Sequence, residues 1–372
     1  MSQVSKISRI VIASVLKPVD ETRMFEKLGS SLSEKGNYEI HIVGFPSRAT
    51  PPIQSNSIQL HTISKEPFTR LSLKRLAAPW KVFRIVMNLK PAYLIITTHE
   101  LLIVAVLCRL FSGCKILYDV QENYFRNILY TTAFPVFIRP FLAGWVRLKE
   151  FLTSPFINLY ILAEKGYAHE LPFALPHITL QNKITYKIAE HYRKAEQTGY
   201  SKLIFSGTLA ETTGVYHALE LVKNLHQFDE SITLTIIGSC SSTVDWNNLK
   251  QQAAENPFII FKGEPYPLPH HEILNELRKA DFGIIWYPRN AATECSIPTK
   301  LFEYMGLNLP ILIAHNEESH NLVTTQKAGI VLSQPIDYQQ LLAEMQKFKH
   351  NPAPAHDYLE NEFSSLLSHL KN

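Results

Sequence analysis

Short, uniformly apolar runs alternate along this chain with longer runs whose apolar positions recur every three or four residues. The first kind predicts strands and the second amphipathic helices. In the first half, strands are expected at 7–15, 39–45, 57–63, 93–97, 115–119 and 157–162, with helices at 21–35, 73–89 and 100–111 between them. Runs that do not alternate fit strands covered on both faces, hence parallel ones. A looser stretch, 171–182, carries Pro172 and Pro176 and reads as a linker. The rhythm then restarts, with strands expected at 202–206, 233–237, 258–261, 282–286 and 310–313. Helices are expected at 214–226, 246–254, 271–279, 299–307 and 337–349, and a closing one at 358–370.

This βαβ rhythm predicts an α/β protein with two tandem Rossmann-like domains facing a central cleft. The expected boundaries are 1–182, 183–352 and a closing segment 353–372. Sheets of this kind bind ligands outside the carboxyl ends of their strands, so the expected site lies in that cleft. The length of 372 residues suits two domains, and 46% hydrophobic content excludes a disordered or coiled-coil chain. Four scattered cysteines without a CxxC exclude a disulfide scaffold and a zinc ribbon, and fit a cytoplasmic setting.

No apolar stretch approaches the ~20 residues of a membrane span. The longest uncharged candidate, 151–163, is interrupted by Pro155, and the apolar run after Lys6 and Arg9 reads as a first strand rather than a leader. The net charge of +4 hides an asymmetry: residues 1–190 carry +10 and residues 191–372 carry −6. The basic half could face an anionic lipid surface or a charged substrate. No nucleic-acid-binding signature accompanies it, so nucleic acid is not an expected partner.

Two segments carry candidate chemistry. In Lys202-Leu-Ile-Phe-Ser-Gly-Thr-Leu-Ala-Glu-Thr-Thr-Gly214 a buried strand runs into Gly207 and a polar loop, with Thr212 or Thr213 as the expected helix cap. Such a turn offers backbone N–H groups and a helix dipole to a phosphate, or is simply a turn. In Cys295-Ser-Ile-Pro-Thr-Lys-Leu-Phe-Glu-Tyr-Met-Gly306, Ser296 is the expected cap, Pro298 fits the first turn, and Leu301, Phe302 and Met305 form the buried stripe. Lys300 and Glu303 share the opposite face. They form either a surface ion pair, or a site in which Lys300 meets a diphosphate and Glu303 a ribose diol.

The second segment, followed by Leu309-Pro-Ile-Leu312, resembles the donor-site helix of retaining nucleotide-sugar glycosyltransferases of the GT-B fold, the sucrose-synthase-like group known as family 4. The loop Ser206-Gly-Thr-Leu209, Gly238 after Ile236-Ile237, and Gly263 are similar to that group's glycine loops, and Tyr118-Asp-Val-Gln-Glu122 to its short acidic motif. The resemblance implies a donor-binding set of Gly207, Thr208, Gly238, Gly263, Pro298, Thr299, Lys300 and Glu303, and a catalytic set of Glu303, Lys300, Asp119 and Glu122. Glu303 matches the second glutamate of the group's pair; the first falls at Cys295, next to Glu294. Thr208 and Thr213 stand where the group has arginine and lysine, and Gln121 where it has histidine. Lys300 is then the remaining nearby cation.

The implied activity is transfer of a sugar from a UDP- or GDP-sugar to a hydroxyl of a glycan or lipid-linked acceptor, with retention. No metal and no cofactor beyond the donor are expected. Thr208, Thr213 and Cys295 in place of the group's residues also admit a non-catalytic nucleotide-sugar-binding protein, and the architecture admits a sugar-nucleotide epimerase. Asp119 and Glu122 follow a strand and either orient the acceptor or cap a helix; His99 and Glu100 follow another, with His99 on the expected acceptor side. His270-His271 has no acidic or cysteine residue at metal-ligand spacing. Residues 68–89 and 126–156 mix basic and aromatic residues. They read as amphipathic helices on a sheet, or as a peripheral contact with an anionic membrane, which would place the protein at its inner face.

Overall fold

The computed structural model describes residues 8–35, 38–47, 57–66, 73–130, 134–194, 199–288, 297–314, 317–349 and 358–371. Thirteen strands are present among them: β1 Ser8–Pro18, β2 Tyr38–Phe45, β3 Ile58–Thr62, β4 Tyr93–Ile96, β5 Lys115–Val120, β6 Leu159–Leu162, β7 His177–Thr179, β8 Lys202–Thr208, β9 Thr233–Ser239, β10 Ile259–Glu264, β11 Phe282–Ile285, β12 Ile311–Ala314 and β13 Gly329–Leu332. They form two sheets, ordered β3-β2-β1-β4-β5-β6-β7 and β10-β9-β8-β11-β12-β13. Every pairing is parallel.

Contacts divide the chain into Met1–Asn182 with Leu359–Asn372, and Lys183–Tyr358. In the first unit Ile10, Ile12, Ile40 and Ile42 face one layer of helices, while Val11, Ala13, Val43 and Leu94 face the other. This two-sided burial is what unalternating apolar runs require. The helix Leu359–Lys371 belongs to this unit. Its Leu359, Phe363, Leu366 and Leu370 are buried in the same core cluster as Ile10 and Ile40; the helix contacts β7, and the Tyr93 hydroxyl donates to the Leu370 carbonyl at 2.6 Å.

Two short strands differ from the expectation. The stretch read as a linker holds β7, which pairs with β6 through Tyr160–His177 and Leu162–Thr179. Three residues behind two prolines give no periodic signal. At the far edge of the other sheet, β13 and the helix Glu317–Gln326 were likewise not expected; that helix is rich in polar residues and has no clear apolar stripe.

In each sheet the strand order reverses once: between β1 and β4, and between β8 and β11. Loops leaving neighbouring strands diverge at such a point and open a crevice at the carboxyl edge.

Phe363 is fully buried in the first unit's core. Phe363→Ala is expected to lower stability by about 3–5 kcal/mol, the usual cost of emptying a buried aromatic site. Urea unfolding followed by circular dichroism measures it.

Candidate active site

In the second unit, three glycines stand in register across neighbouring strands: Gly263 of β10 opposite Gly238 of β9, and Gly238 opposite Gly207 of β8. Gly207 and Gly238 have φ of 100° and 149°, a region that only glycine enters without strain. A Cβ on Gly238 would overlap the Gly207 carbonyl, whereas one on Gly207 would point into open space. Gly207 thereby leaves open space at the end of β8, where a ligand can approach the backbone closely, while the Phe261 ring and Leu209 fill the space beside Gly263.

The loop after β8 is braced from within. The Thr213 hydroxyl lies 2.7 Å from the Thr208 carbonyl and 2.9 Å from that of Ala210, and accepts from the Ala210 N–H at 3.2 Å. Thr213 therefore shapes the loop. The expected cap at Thr212 or Thr213 is instead Gly214, φ 82°, which opens the helix Val215–Phe228. Only glycine fits there, because a Cβ would overlap the carbonyl of Trp286 beyond β11.

The helix Thr299–Gly306 starts after Pro298, which is the cap residue rather than part of the first turn. Ser296, Cys295 and Glu294 lie outside the described residues. Tyr304 ties this helix to the sheet. Its hydroxyl sits 2.9 Å from the Ser206 Oγ of β8, and its ring lies where a side chain at Gly283 of β11 would be.

Lys300 and Glu303 do not form a solvent-facing ion pair. Lys300 is 7% exposed, and its Nζ has no hydrogen-bond partner among the described residues. The ammonium lies 3.9 Å from the centre of the Phe205 ring on β8 and 5.1 Å from that of Tyr287, just past β11. These two strands flank the reversal of strand order, so Lys300 occupies the crevice that the topology creates. Burial lowers its pKa to about 7, with Glu303 opposing the shift. Glu303 Oε1 is 3.4 Å from Nε2 of His270, the first residue of the helix after β10. Burial raises the Tyr287 hydroxyl to about 12, so it stays protonated.

Sequence reasoning placed Lys300 and Glu303 but missed Phe205, Tyr287 and His270 as their neighbours. His270-His271 had been weighed only against metal spacing, and the contact with Glu303 joins residues far apart in sequence.

In the first unit the acceptor-side residues separate. Asp119, at the end of β5, is completely buried. Arg23 Nη2 donates to its Oδ1 at 2.6 Å and Arg23 Nε to its Oδ2 at 2.9 Å, while Gln121 Nε2 donates to Oδ2 at 2.7 Å. Arg23 also donates to Asn182 Oδ1 at 2.9 Å. The expectation that Asp119 orients an acceptor hydroxyl therefore gives way to a structural role, since both oxygens are already committed. Glu122 is exposed and accepts from Asn127 Nδ2 at 2.9 Å.

His99 lies edge-on to Tyr124, with ring centres 4.6 Å apart, and its Nδ1 is 2.9 Å from Lys149 Nζ. Burial depresses His99 to about 4 and also lowers Lys149. Neighbouring Glu150 rises to about 7 for the same reason, and Tyr118 donates to it at 3.4 Å. This cluster is polar and set behind β4 and β5, with His99, Lys149 and Glu150 each shifted toward the uncharged form.

Residues 215–354 match the family model described as Glucosyltransferase 3-like, C-terminal domain. No curated protein matches. Among solved structures, HepE from Anabaena in complex with UDP and glucose is 13% identical over 98% of this chain and 99% of its own, with a TM-score of 0.67. Sucrose-phosphate synthase from Thermosynechococcus elongatus is 11% identical over 97% and 90%, at 0.60. A protein of Listeria monocytogenes assigned as a UDP-N-acetylglucosamine 2-epimerase is 12% identical over 99% and 89%, at 0.55. At these identities the likeness is one of fold: two parallel-sheet α/β units in tandem, the GT-B architecture.

Asp119→Ala leaves Arg23 buried and half-paired, and is expected to cost about 3–5 kcal/mol in urea unfolding. Glu122→Ala, on the surface, should stay within about 0.5 kcal/mol of the parent. Lys300→Met is expected to stabilise the free protein at pH 7 by about 1–3 kcal/mol, because it removes a buried ammonium that has no hydrogen-bond partner among the described residues. The folded pKa of Lys300 is lowered to about 7 from 10.5, so the unfolded chain holds an extra proton between those values. Stability should rise with pH across that window, and the rise should be smaller in Lys300→Met. Thermal unfolding from pH 7 to 10 measures both.

Proposed function

We propose that this protein transfers a sugar from a UDP- or GDP-sugar to a hydroxyl of a glycan or lipid-linked acceptor, with retention at the anomeric carbon. The observation that carries this reading is the buried Lys300 ammonium, without a hydrogen-bond partner among the described residues, in the crevice between β8 and β11. Such a group is costly to an empty site and has a natural partner in a diphosphate. Lys300 and the N–H groups of Thr299 and Lys300 take the diphosphate. The glycine row at Gly207, Gly238 and Gly263, with Thr208, lets its backbone-facing side approach. Glu303, braced by His270, accepts from the ribose hydroxyls.

In the reaction the acceptor oxygen bonds to the anomeric carbon as the bond from that carbon to the diphosphate oxygen breaks. The electron pair leaves with the diphosphate, whose growing charge Lys300 offsets, and the acceptor proton passes to the departing phosphate oxygen. Donors preorganised at that oxygen favour the transition state over the ground state. The reading draws support from the match of residues 215–354 to a glucosyltransferase-like model and from the fold shared with HepE, solved with UDP and glucose. His99 and Glu122 remain on the acceptor side of the proposal; Asp119 supports that wall from behind.

A second reading, a binding protein without turnover, is favoured by one observation. The Thr213 hydroxyl is spent on the loop, and Thr208 supplies no cation. Release of free UDP or GDP together with a glycosylated product separates the two; conversion of the donor to an isomer would indicate an epimerase.

Binding is measured by calorimetry with UDP and GDP against their nucleosides. Lys300→Ala should weaken the diphosphates far more than the nucleosides. Glu303→Ala should weaken both by about 1.5–3 kcal/mol, the range for a hydrogen bond to a charged group. Lys300 must take up a proton to hold the diphosphate once pH exceeds about 7, so affinity should fall as pH rises above that value and proton uptake should appear. Equal losses for nucleoside and diphosphate would remove Lys300 from the site.

A further inference from the structure

The helix Arg139–Thr153 is inside out. Its buried face carries Ala143, Val146, Lys149, Glu150 and Thr153. The exposed face carries Phe141, Trp145, Leu148, Phe151 and Leu152, with Phe141 79% exposed. These positions are three and four apart, so they form one stripe along the helix. No charged side chain stands in it. Scattered apolar residues on a surface need no explanation, but a continuous stripe with the charges turned inward marks a contact surface.

The stripe is one edge of a wider face. The helix Arg139–Thr153 packs against Leu102–Ser112, which packs against Leu73–Leu89. Leu110 and Phe111 are exposed on the middle helix, and Leu76 and Trp80 on the third. Phe111 and Phe83 meet edge to face, with ring centres 6.2 Å apart. Every exposed charge on this third helix is positive: Lys74, Lys81 and Arg84. The three helices contain one acidic residue, Glu150, and it is buried. Arg75 does not join the face, because it is turned to Glu100 at 2.5 Å. Arg70, which the charge pattern also favoured, lies outside the described residues.

We propose that this three-helix face docks on an anionic lipid leaflet, with the stripe of Arg139–Thr153 entering the headgroup boundary and Lys74, Lys81 and Arg84 lying over lipid phosphates. Aromatic and aliphatic side chains flanked by cations, without exposed acids, are the composition that a negatively charged interface takes up. Trp80 and Trp145 suit the boundary, where one end of the indole is wet. A second copy of the chain fits less well, since a two-fold contact through this face would set cations against cations. The inference rests on the transfer reading in one respect: it selects a lipid-linked acceptor over a soluble glycan.

The test uses the full chain and sedimentation with vesicles of phosphatidylcholine, with and without about one-third phosphatidylglycerol. The parent should sediment with the anionic vesicles at low salt and less at high salt. The triple variant Phe141→Ser/Leu148→Ser/Phe151→Ser alters only exposed positions and should lose about tenfold or more of that binding, with its circular dichroism unchanged. Lys74→Gln/Lys81→Gln/Arg84→Gln should bind more weakly and lose most of the salt dependence. A parent that stays in the supernatant at low salt, or a triple variant that binds like the parent, overturns the proposal. So does a parent dimer in light scattering that the triple variant converts to monomer while neither binds vesicles; that result would assign the face to a second copy. Nucleotide binding is read on the same samples. Its survival in a parent that does not bind vesicles would remove the membrane surface alone, and its absence in a parent that does would remove the transfer reading alone.

Discussion

Both sheets of this protein are wholly parallel, and each reverses its strand order once. A parallel sheet must be covered on both faces, so its carboxyl edge is the place where backbone and side chains can meet a ligand. In the second unit this constraint accounts for the placement of nearly everything that bears chemistry. Phe205 lies in the buried part of β8, Tyr287 follows β11, and Lys300 enters between them from the next helix. The glycine row across β10, β9 and β8 lets the strands approach closely and leaves open space at Gly207. Tyr304 pins the helix that carries Lys300, through Ser206 and over Gly283. Among the described residues the lysine is held by packing against the two rings, with Glu303 acting on its charge.

The same reversal in the first unit is filled differently. There the carboxyl edge of β5 holds Asp119, and Arg23 reaches it from the helical turn after β1. A buried, doubly bonded pair of this kind fixes the relative placement of β1, β5 and Asn182, and the complete burial of Asp119 keeps it from a substrate. The second unit keeps a buried cation without a hydrogen-bond partner among the described residues, while in the first the buried carboxylate of Asp119 is paired with Arg23.

How far the sequence could be read follows from the kind of signal each feature leaves. Eleven of the strands fall where the sequence pattern predicts them, most of them on short apolar runs. β7 and β13, three and four residues long at sheet edges, were not legible, because edge strands need little apolar sequence. Lys300 and Glu303 were legible from their helix. Their burial was not, since it depends on Phe205 and Tyr287 arriving from distant strands. Asp119 was legible as a strand-end carboxylate but misassigned in role, because its partner Arg23 lies 96 positions away. The glycines were visible singly; only strand register makes them a row.

The inverted helix also follows from what lies behind it. Its inward residues face the polar ends of β4 and β5, where His99, Tyr118 and Asn123 need partners: Lys149 meets His99, Glu150 accepts from Tyr118, and Arg147 donates to Asn123 at 3.1 Å. Burial has moved these groups toward their uncharged forms, with His99 near 4 and Glu150 near 7, which softens the desolvation that charged inward residues would otherwise impose. With its polar positions drawn inward by the sheet edge, the helix has only apolar residues left to turn outward. In water that arrangement leaves Phe141, Trp145 and Phe151 exposed with nothing gained. The polar wall behind β4 and β5 and the apolar face outside it are therefore two sides of one helix, and the burial of Lys149 and Glu150 on the first is what leaves the second to the surface.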